Sequence, residues 1–127
     1  MPAAGDVVLA TDATATNSDS SIGLPASGFS DTGCFAFTAL DGKLIEIRFF
    51  LTNTSAITAT TGNITDTTAF TVDAAYRPAA ERSLSWNNKT VGGTAVLNTD
   101  GTLVLCTASD SVGAGSSIRA QVCFMNS

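Results

Sequence analysis

The stretch Thr68-Ala-Phe-Thr-Val-Asp-Ala-Ala-Tyr-Arg-Pro-Ala-Ala-Glu-Arg-Ser-Leu-Ser-Trp86 decides how the chain is read. It opens as a strand, with Phe70 and Val72 on one face and small or polar residues between them. It breaks at Asp73-Ala-Ala, turns at Tyr76-Arg77-Pro78, and resumes alternation at Leu84 and Trp86. Pro78 lacks an N–H and holds Arg77 in an extended conformation, so no regular ladder passes through. Strand, corner, strand is the simplest solution, with one half of the chain before the corner and another after it.

Outward from the corner, the same period of two recurs. Gly33 to Leu40 alternates with Phe35 and Phe37 on one face, Asp41-Gly42 follows, and Lys43 to Thr52 alternates again. Asp-Gly between two alternating runs predicts a tight hairpin, because a type I′ turn needs positive φ at both central residues. Ile45, Ile47, Phe49 and Leu51 share one face of the second run; Glu46, Arg48 and Phe50 share the other. That second face is only half polar, as expected of a strand covered by a neighbouring subunit. On the far side, Ser83 to Asn87 reads as a strand and Asn87-Asn88-Lys89 as a turn. Val91 to Thr99 and Thr102 to Thr107 flank a second Asp-Gly at Asp100-Gly101, and Gly92-Gly93 marks a bulge or tight bend. Ser117 to Phe124 closes the series, with Ile118, Ala120, Val122 and Phe124 inward and Arg119 and Gln121 outward.

Asn53 to Thr67 is polar and Thr-rich, and reads as a loop with one weak or edge strand. Residues 1–28 form a Ser/Thr/Asp-rich lead in which Val7-Val8-Leu9 could be one short strand and Thr11 to Ser21 a linker. Residues 29–127 form the main domain. No apolar stripe of helical period appears. Short strands separated by turn signals predict an all-β chain, an antiparallel β-sandwich or jelly roll.

Composition narrows the function classes. The 127 residues suit one domain with a single core, and 44% are hydrophobic against only 13% charged. With a net charge of −5 and only six scattered basic residues, the chain lacks the cationic cluster that nucleic-acid or membrane-surface binding requires. No apolar run approaches the ~20 residues of a spanning helix. The start, Met-Pro-Ala-Ala-Gly-Asp, has neither a basic nor an apolar signal-peptide region. Cys34, Cys106 and Cys123 are odd in number and widely spaced, and read as small buried hydrophobes of a chain made in a reducing cytosol.

Absence of histidine removes Ser-His-Asp and Cys-His nucleophiles and every His-ligated metal site. The pairs Asp41/Glu46, Asp73/Glu81 and Asp100/Asp110 could supply two carboxylates for glycoside hydrolysis. Asp41 and Asp100 already have turns to make, and Asp73 sits in the corner. Oxygens of Asp12, Asn17 and Asp19 suit calcium, but without the spacing of a calcium loop. Three Asn-x-Ser/Thr matches, at Asn53, Asn63 and Asn88, are discounted as the yield of a Thr-rich chain. The reading is non-catalytic, with no cofactor and no metal.

Trp86 and Tyr76 are the sole Trp and Tyr. An exposed Trp86 indole beside Asn87, Asn88 and Lys89 would make a sugar-stacking platform with hydrogen-bond donors next to it. Packed in the core or against another subunit, the same ring is purely structural. Arg77 and Arg82 flank the corner within reach of Asp73 or Glu81.

Two segments carry a family resemblance. Phe70-Thr-Val-Asp-Ala-Ala-Tyr76-Arg77-Pro78 and Gly93-Thr-Ala-Val-Leu-Asn-Thr-Asp100-Gly101-Thr-Leu-Val-Leu105 resemble the corner and hairpin of bacteriophage fibre head domains, such as tail-fibre tips and baseplate receptor-binding proteins. The likeness extends over Gly33 to Phe124, and departs at Val72-Asp73, where Leu-Pro is commoner. It implies a homotrimeric β-sandwich head on a virion fibre, held among other fibre or baseplate proteins, that binds a host-surface saccharide or other receptor. It also implies Tyr76-Arg77-Pro78 as a structural corner and the lead as a shaft junction. A trimerising cap or capsid-decorating module is the structural alternative, and a fibre-borne glycan hydrolase a third.

Overall fold

A computed structural model describes residues 17–126. Ten antiparallel strands account for most of them: β1 Asn17–Asp19, β2 Gly23–Pro25, β3 Phe29–Asp31, β4 Phe35–Ala39, β5 Leu44–Asn53, β6 Asn63–Val72, β7 Arg82–Asn87, β8 Gly92–Leu97, β9 Thr102–Thr107 and β10 Ser117–Met125. One 3-10 turn, Ala74–Tyr76, is the sole helical element among the described residues. The all-β expectation is met.

The strands join in one continuous sheet of spatial order β1-β4-β5-β10-β7-β8-β9-β6-β2, with β3 on β5 beyond the end of β4. Such a sheet can bury one face only by curling. It does so: Phe49 on β5 meets Phe70 on β6 edge-to-face, ring centroids 5.8 Å apart, although β10, β7, β8 and β9 lie between those two strands in the sheet order. The inward rows are those that alternation predicts: Ile45, Ile47, Phe49 and Leu51 from β5, and Ile118, Ala120, Val122 and Phe124 from β10. Nine register pairs hold these two strands together.

The first hairpin has the expected turn. Asp41 (φ 58°) and Gly42 (φ 78°) are both left-handed, and Lys43 N–H donates to Leu40 C=O at 3.1 Å. The second differs: Gly101 alone has positive φ (91°), and its N–H donates to Asn98 C=O. This is a type I turn closed by a left-handed glycine, the commoner solution for a longer hairpin loop. A third tight turn, Thr61-Gly62 (φ 52° and 79°), lies hidden in the Thr-rich stretch. The segment after it is no weak strand but the ten-residue β6, paired with β9 on one side and β2 on the other.

The expected lead is largely part of the domain where it is described. β1 pairs with β4 and β2 with β6, and Ile22 between them is wholly buried. The suggested strand Val7-Val8-Leu9 lies outside the described residues. Of the three cysteines, Cys34 is buried as expected, whereas Cys106 is half-buried and Cys123 exposed. Cys123 follows Val122 on β10, so its side chain must face outward. Burial pushes the Cys34 thiol up to about 12, which keeps it protonated and inert.

Asn53, at the inner end of β5, is a wholly buried polar side chain. Its Nδ2 donates to Ser55 C=O (3.0 Å) and Gly113 C=O (2.9 Å), and its Oδ1 accepts from Ser116 N–H (3.0 Å). One amide thus pins the loop after β5 to the loop before β10, and its burial removes it as a glycan acceptor. Replacing Asn53 with Ala removes the three hydrogen bonds that tie these loops and leaves a void at a wholly buried position, so Asn53→Ala should destabilise the fold by about 2–4 kcal/mol. A urea-denaturation midpoint shift at unchanged slope would register this.

Candidate functional site

Trp86 is 1% exposed. Its Nε1–H donates to Thr107 C=O at 3.0 Å, crossing over β8 at Gly93, its register partner. A Cβ at Gly93 would stand 1.8 Å from the Thr107 oxygen and 2.7 Å from the indole nitrogen, so only glycine admits the ring. The sugar-stacking platform is therefore corrected: Trp86 is a core residue. Asn88 is a turn residue, its Oδ1 accepting from the N–H groups of Thr90 (3.1 Å) and Val91 (2.6 Å). Lys89 stands exposed at the turn's tip with φ 86°. Asn87 is exposed, and it alone of the four lines a groove.

That groove runs between β7 and β10 and encloses about 710 Å³. The two strands pair at only two register positions, Arg119 with Asn87 and Ala120 with Trp86. Farther along β10 the strand keeps its partnership with β5, and its end is tied elsewhere. Asn126 donates through Nδ2 to Arg77 C=O and accepts at Oδ1 from Ala79 N–H, both at 2.9 Å. The edges of β7 and β10 part between these fixed ends. Leu84 and Val122 line the opening, and Ser83, Ser85, Asn87, Arg119 and Gln121 edge it.

Aromatic rings complete the groove on its β4–β5 side. Phe35 and Phe37 alternate as expected, but on the outer face: register pairs Ala36 with inward Ile47, so Ala36 and Cys34 point in. Phe35 and Phe37 meet edge-to-face with centroids 5.2 Å apart, and the Arg48 guanidinium lies 5.7 and 5.5 Å from their rings. Arg119 lies 4.7 Å from the Phe50 ring. Arg48 Nε donates to Glu46 Oε2 at 2.9 Å, the one ion pair among the described residues; exposed as it is, such a pair contributes only ~0–1 kcal/mol. The half-polar second face of β5 thus exists. Its ring, Phe50, is roofed by the chain's own Arg119 guanidinium.

The remaining candidates have structural work. Arg77 takes the extended conformation its proline demands (φ −81°, ψ 135°). Its Nε donates to Val72 C=O at 3.3 Å beside Gly101, which braces the corner against the second hairpin. Pro78 is buried. Neither Arg77 nor Arg82 pairs with Asp73 or Glu81. Asp100 closes its turn by accepting from Thr102 N–H and Oγ1–H, and these bonds hold its carboxyl below the usual range. No group of three or more acidic, Cys or His side chains gathers to hold a metal among the described residues. Of the suggested calcium ligands, Asp12 lies outside them, and the Asp19 carboxylate accepts from Tyr76 and Ser21. No helix among them is long and apolar enough to cross a membrane.

Asn87 was legible from the sequence; Phe35, Arg48, Phe50, Arg119 and Gln121 were not assigned to a site. Their signal was the outward row of two strands destined to be neighbours, visible only once β5 and β10 are known to pair. No protein-family model matches the chain, and no curated protein matches it.

The Tyr76 hydroxyl donates to Asp19 Oδ2 at 2.6 Å, tying β1 to the corner. This bond, with some burial, raises the phenol from 10.0 to about 12, and it holds Asp19 below the usual carboxylate range. The tether needs a neutral phenol and an ionised carboxylate. Its contribution is complete below the unfolded phenol's pKa, fades as pH rises towards about 12, and is lost at the acid end as Asp19 protonates. Ultraviolet titration of the one tyrosine should inflect near 12 in the native protein and nearer 10 in Asp19→Asn.

Proposed function

We propose that the chain is a non-catalytic binding head that adheres to a saccharide through the β7–β10 groove. One observation carries this reading: a single open groove sets aromatic and aliphatic surface (Phe35, Phe50, Leu84) beside guanidinium, amide and hydroxyl groups (Arg119, Gln121, Asn87). Sugars present C–H faces and hydroxyl edges in alternation, and a site of mixed stacking surface and hydrogen-bond donors answers both. Glycoside hydrolysis needs two carboxylates flanking the bond, roughly 5–10 Å apart. Among the described residues, no Asp or Glu lines the groove.

The likeness of the Tyr76-Arg77-Pro78 corner and the Asp100-Gly101 hairpin to phage fibre heads supports placing this binding on a virion fibre, in adsorption to a host. It also supports a homotrimer. An apolar patch suits the subunit contact: Met125, 55% exposed, lies opposite Leu44 in register, with Leu40 beside them at the β4–β5 turn. This patch sits at the end of β5 away from Phe50, so subunit contact and saccharide binding need not compete.

Asn87→Ala and Gln121→Ala remove outward amides without touching the core. On a saccharide identified by screening host surface glycans, each should weaken binding roughly tenfold, about 1.4 kcal/mol, with circular dichroism unchanged. Full affinity in both variants would exclude the groove; no retained glycan in the screen would favour the structural alternative. Sedimentation should give a trimer for the native protein and a monomer for Met125→Glu. A native monomer at micromolar concentration would overturn the assembly.

A further inference from the structure

The groove's charge is at odds with that of the chain. Net charge is −5, and the six basic residues are scattered in sequence, yet two of them, Arg48 and Arg119, line one groove that no acid of the described residues lines. They are not equivalent. Arg48 has its Nε committed to Glu46. Arg119 makes no side-chain hydrogen bond or ion pair among the described residues; its guanidinium is engaged only by the face of Phe50, at 4.7 Å.

Stacking occupies the flat face of a guanidinium and leaves its N–H edge open. That edge is a planar fork of donors matched to a planar, two-oxygen acceptor. Gln121 follows two residues along the same outward row, and Asn87 is Arg119's register partner on β7. Asn87 Oδ1 accepts from Lys89 N–H at 3.2 Å, which leaves its amide donors unassigned. The N–H edge of Arg119 is thus open between two amides, and no carboxylate of the described residues lines the groove to meet it.

We propose that the groove takes a carboxylate-bearing saccharide, of the uronate or sialate class, with Arg119 receiving the carboxylate while Gln121 and Asn87 hold the sugar hydroxyls. The proposal rests on the saccharide reading of the groove and adds the charge of the sugar. A sulfate ester presents a related two-oxygen edge to the fork, and its comparison with the carboxylate is one arm of the test.

The test is calorimetric titration of the full chain with oligogalacturonate and oligosialate, each beside its carboxyl-reduced counterpart, and with a sulfated oligosaccharide. At least one acidic oligomer should bind about tenfold tighter than its reduced form, with affinity falling as salt rises. Arg119→Gln should abolish that preference and Arg119→Lys should retain part of it, both folded by circular dichroism. Equal affinity for acidic and reduced forms, lost in Gln121→Ala, would overturn the carboxylate assignment while sustaining the groove as a saccharide site. Tighter binding of the sulfated sugar would also overturn it. No binding of either acidic oligomer would overturn it too, and failure of every saccharide would take the groove reading with it.

Discussion

The hydrogen bond from the Trp86 indole to the Thr107 carbonyl links three strands through the space one glycine leaves. Trp86 projects from β7, passes over β8 at Gly93, and ends on β9. An indole fully removed from water needs a partner for its N–H, since leaving that donor unmade costs about 1–3 kcal/mol. Thr107 supplies the partner only because Gly93 has no side chain to block the approach. The side chains of β7 alternate about this fixed point. With Trp86 inward, Asn87, Ser85 and Ser83 must stand outward, and these form one side of the groove.

The other side depends on β5. Its inward row of Ile45, Ile47, Phe49 and Leu51 is buried against the curl of the sheet, so its outward row is Glu46, Arg48 and Phe50. Register with β10 then sets Arg119 beside Phe50 and Gln121 beside Arg48. Neither β7 nor β5 could present these groups otherwise without exposing its largest apolar side chains, because a slip of one residue reverses both faces. The groove is therefore a consequence of core packing, and its opening reflects the different anchors of the two edges. β7 is held by Trp86 and β8, while β10 is held by β5 and, at its end, by Asn126 on the corner.

Strand identity was legible wherever alternation and turn chemistry agreed, as from Phe35 to Asn53 and from Arg82 to Thr107. It held for the second half of β6, where Phe70 and Val72 share the buried face, and failed for the first half, where register shifts between Asn63 and Thr67 and between Thr68 and Phe70 interrupt the period. Ala69 and Phe70 are both buried there, a pair no strict alternation allows. β1 to β3 are three residues each, too short for any period, and are held by contacts distant in sequence: Asp73 N–H donates to Ile22 C=O at 2.7 Å. Trp86 shows the limit for the site. Its outward alternative depended on polar neighbours at Asn87 and Asn88, but those side chains serve a turn and a groove edge. What decides the ring's direction is Gly93, a residue read in sequence only as a bend.

Low charge explains how so few cations can define a site. On the outer surface, neighbouring segments are joined by hydroxyl pairs, Thr94 with Thr107 at 2.8 Å and Thr32 with Thr52 at 2.6 Å, and the one ion pair among the described residues lies within β5. Such a surface generates little competing local potential. The acids of the described residues lie outside the groove lining, several at turns and loops, such as Asp41, Asp100 and Asp110. At physiological salt a charge is largely screened beyond about 8 Å. A ligand group in the groove therefore responds to the guanidinium groups of Arg119 and Arg48, the second partly neutralised by Glu46, far more than to the net charge of the molecule. Local arrangement, not overall balance, sets what this groove attracts.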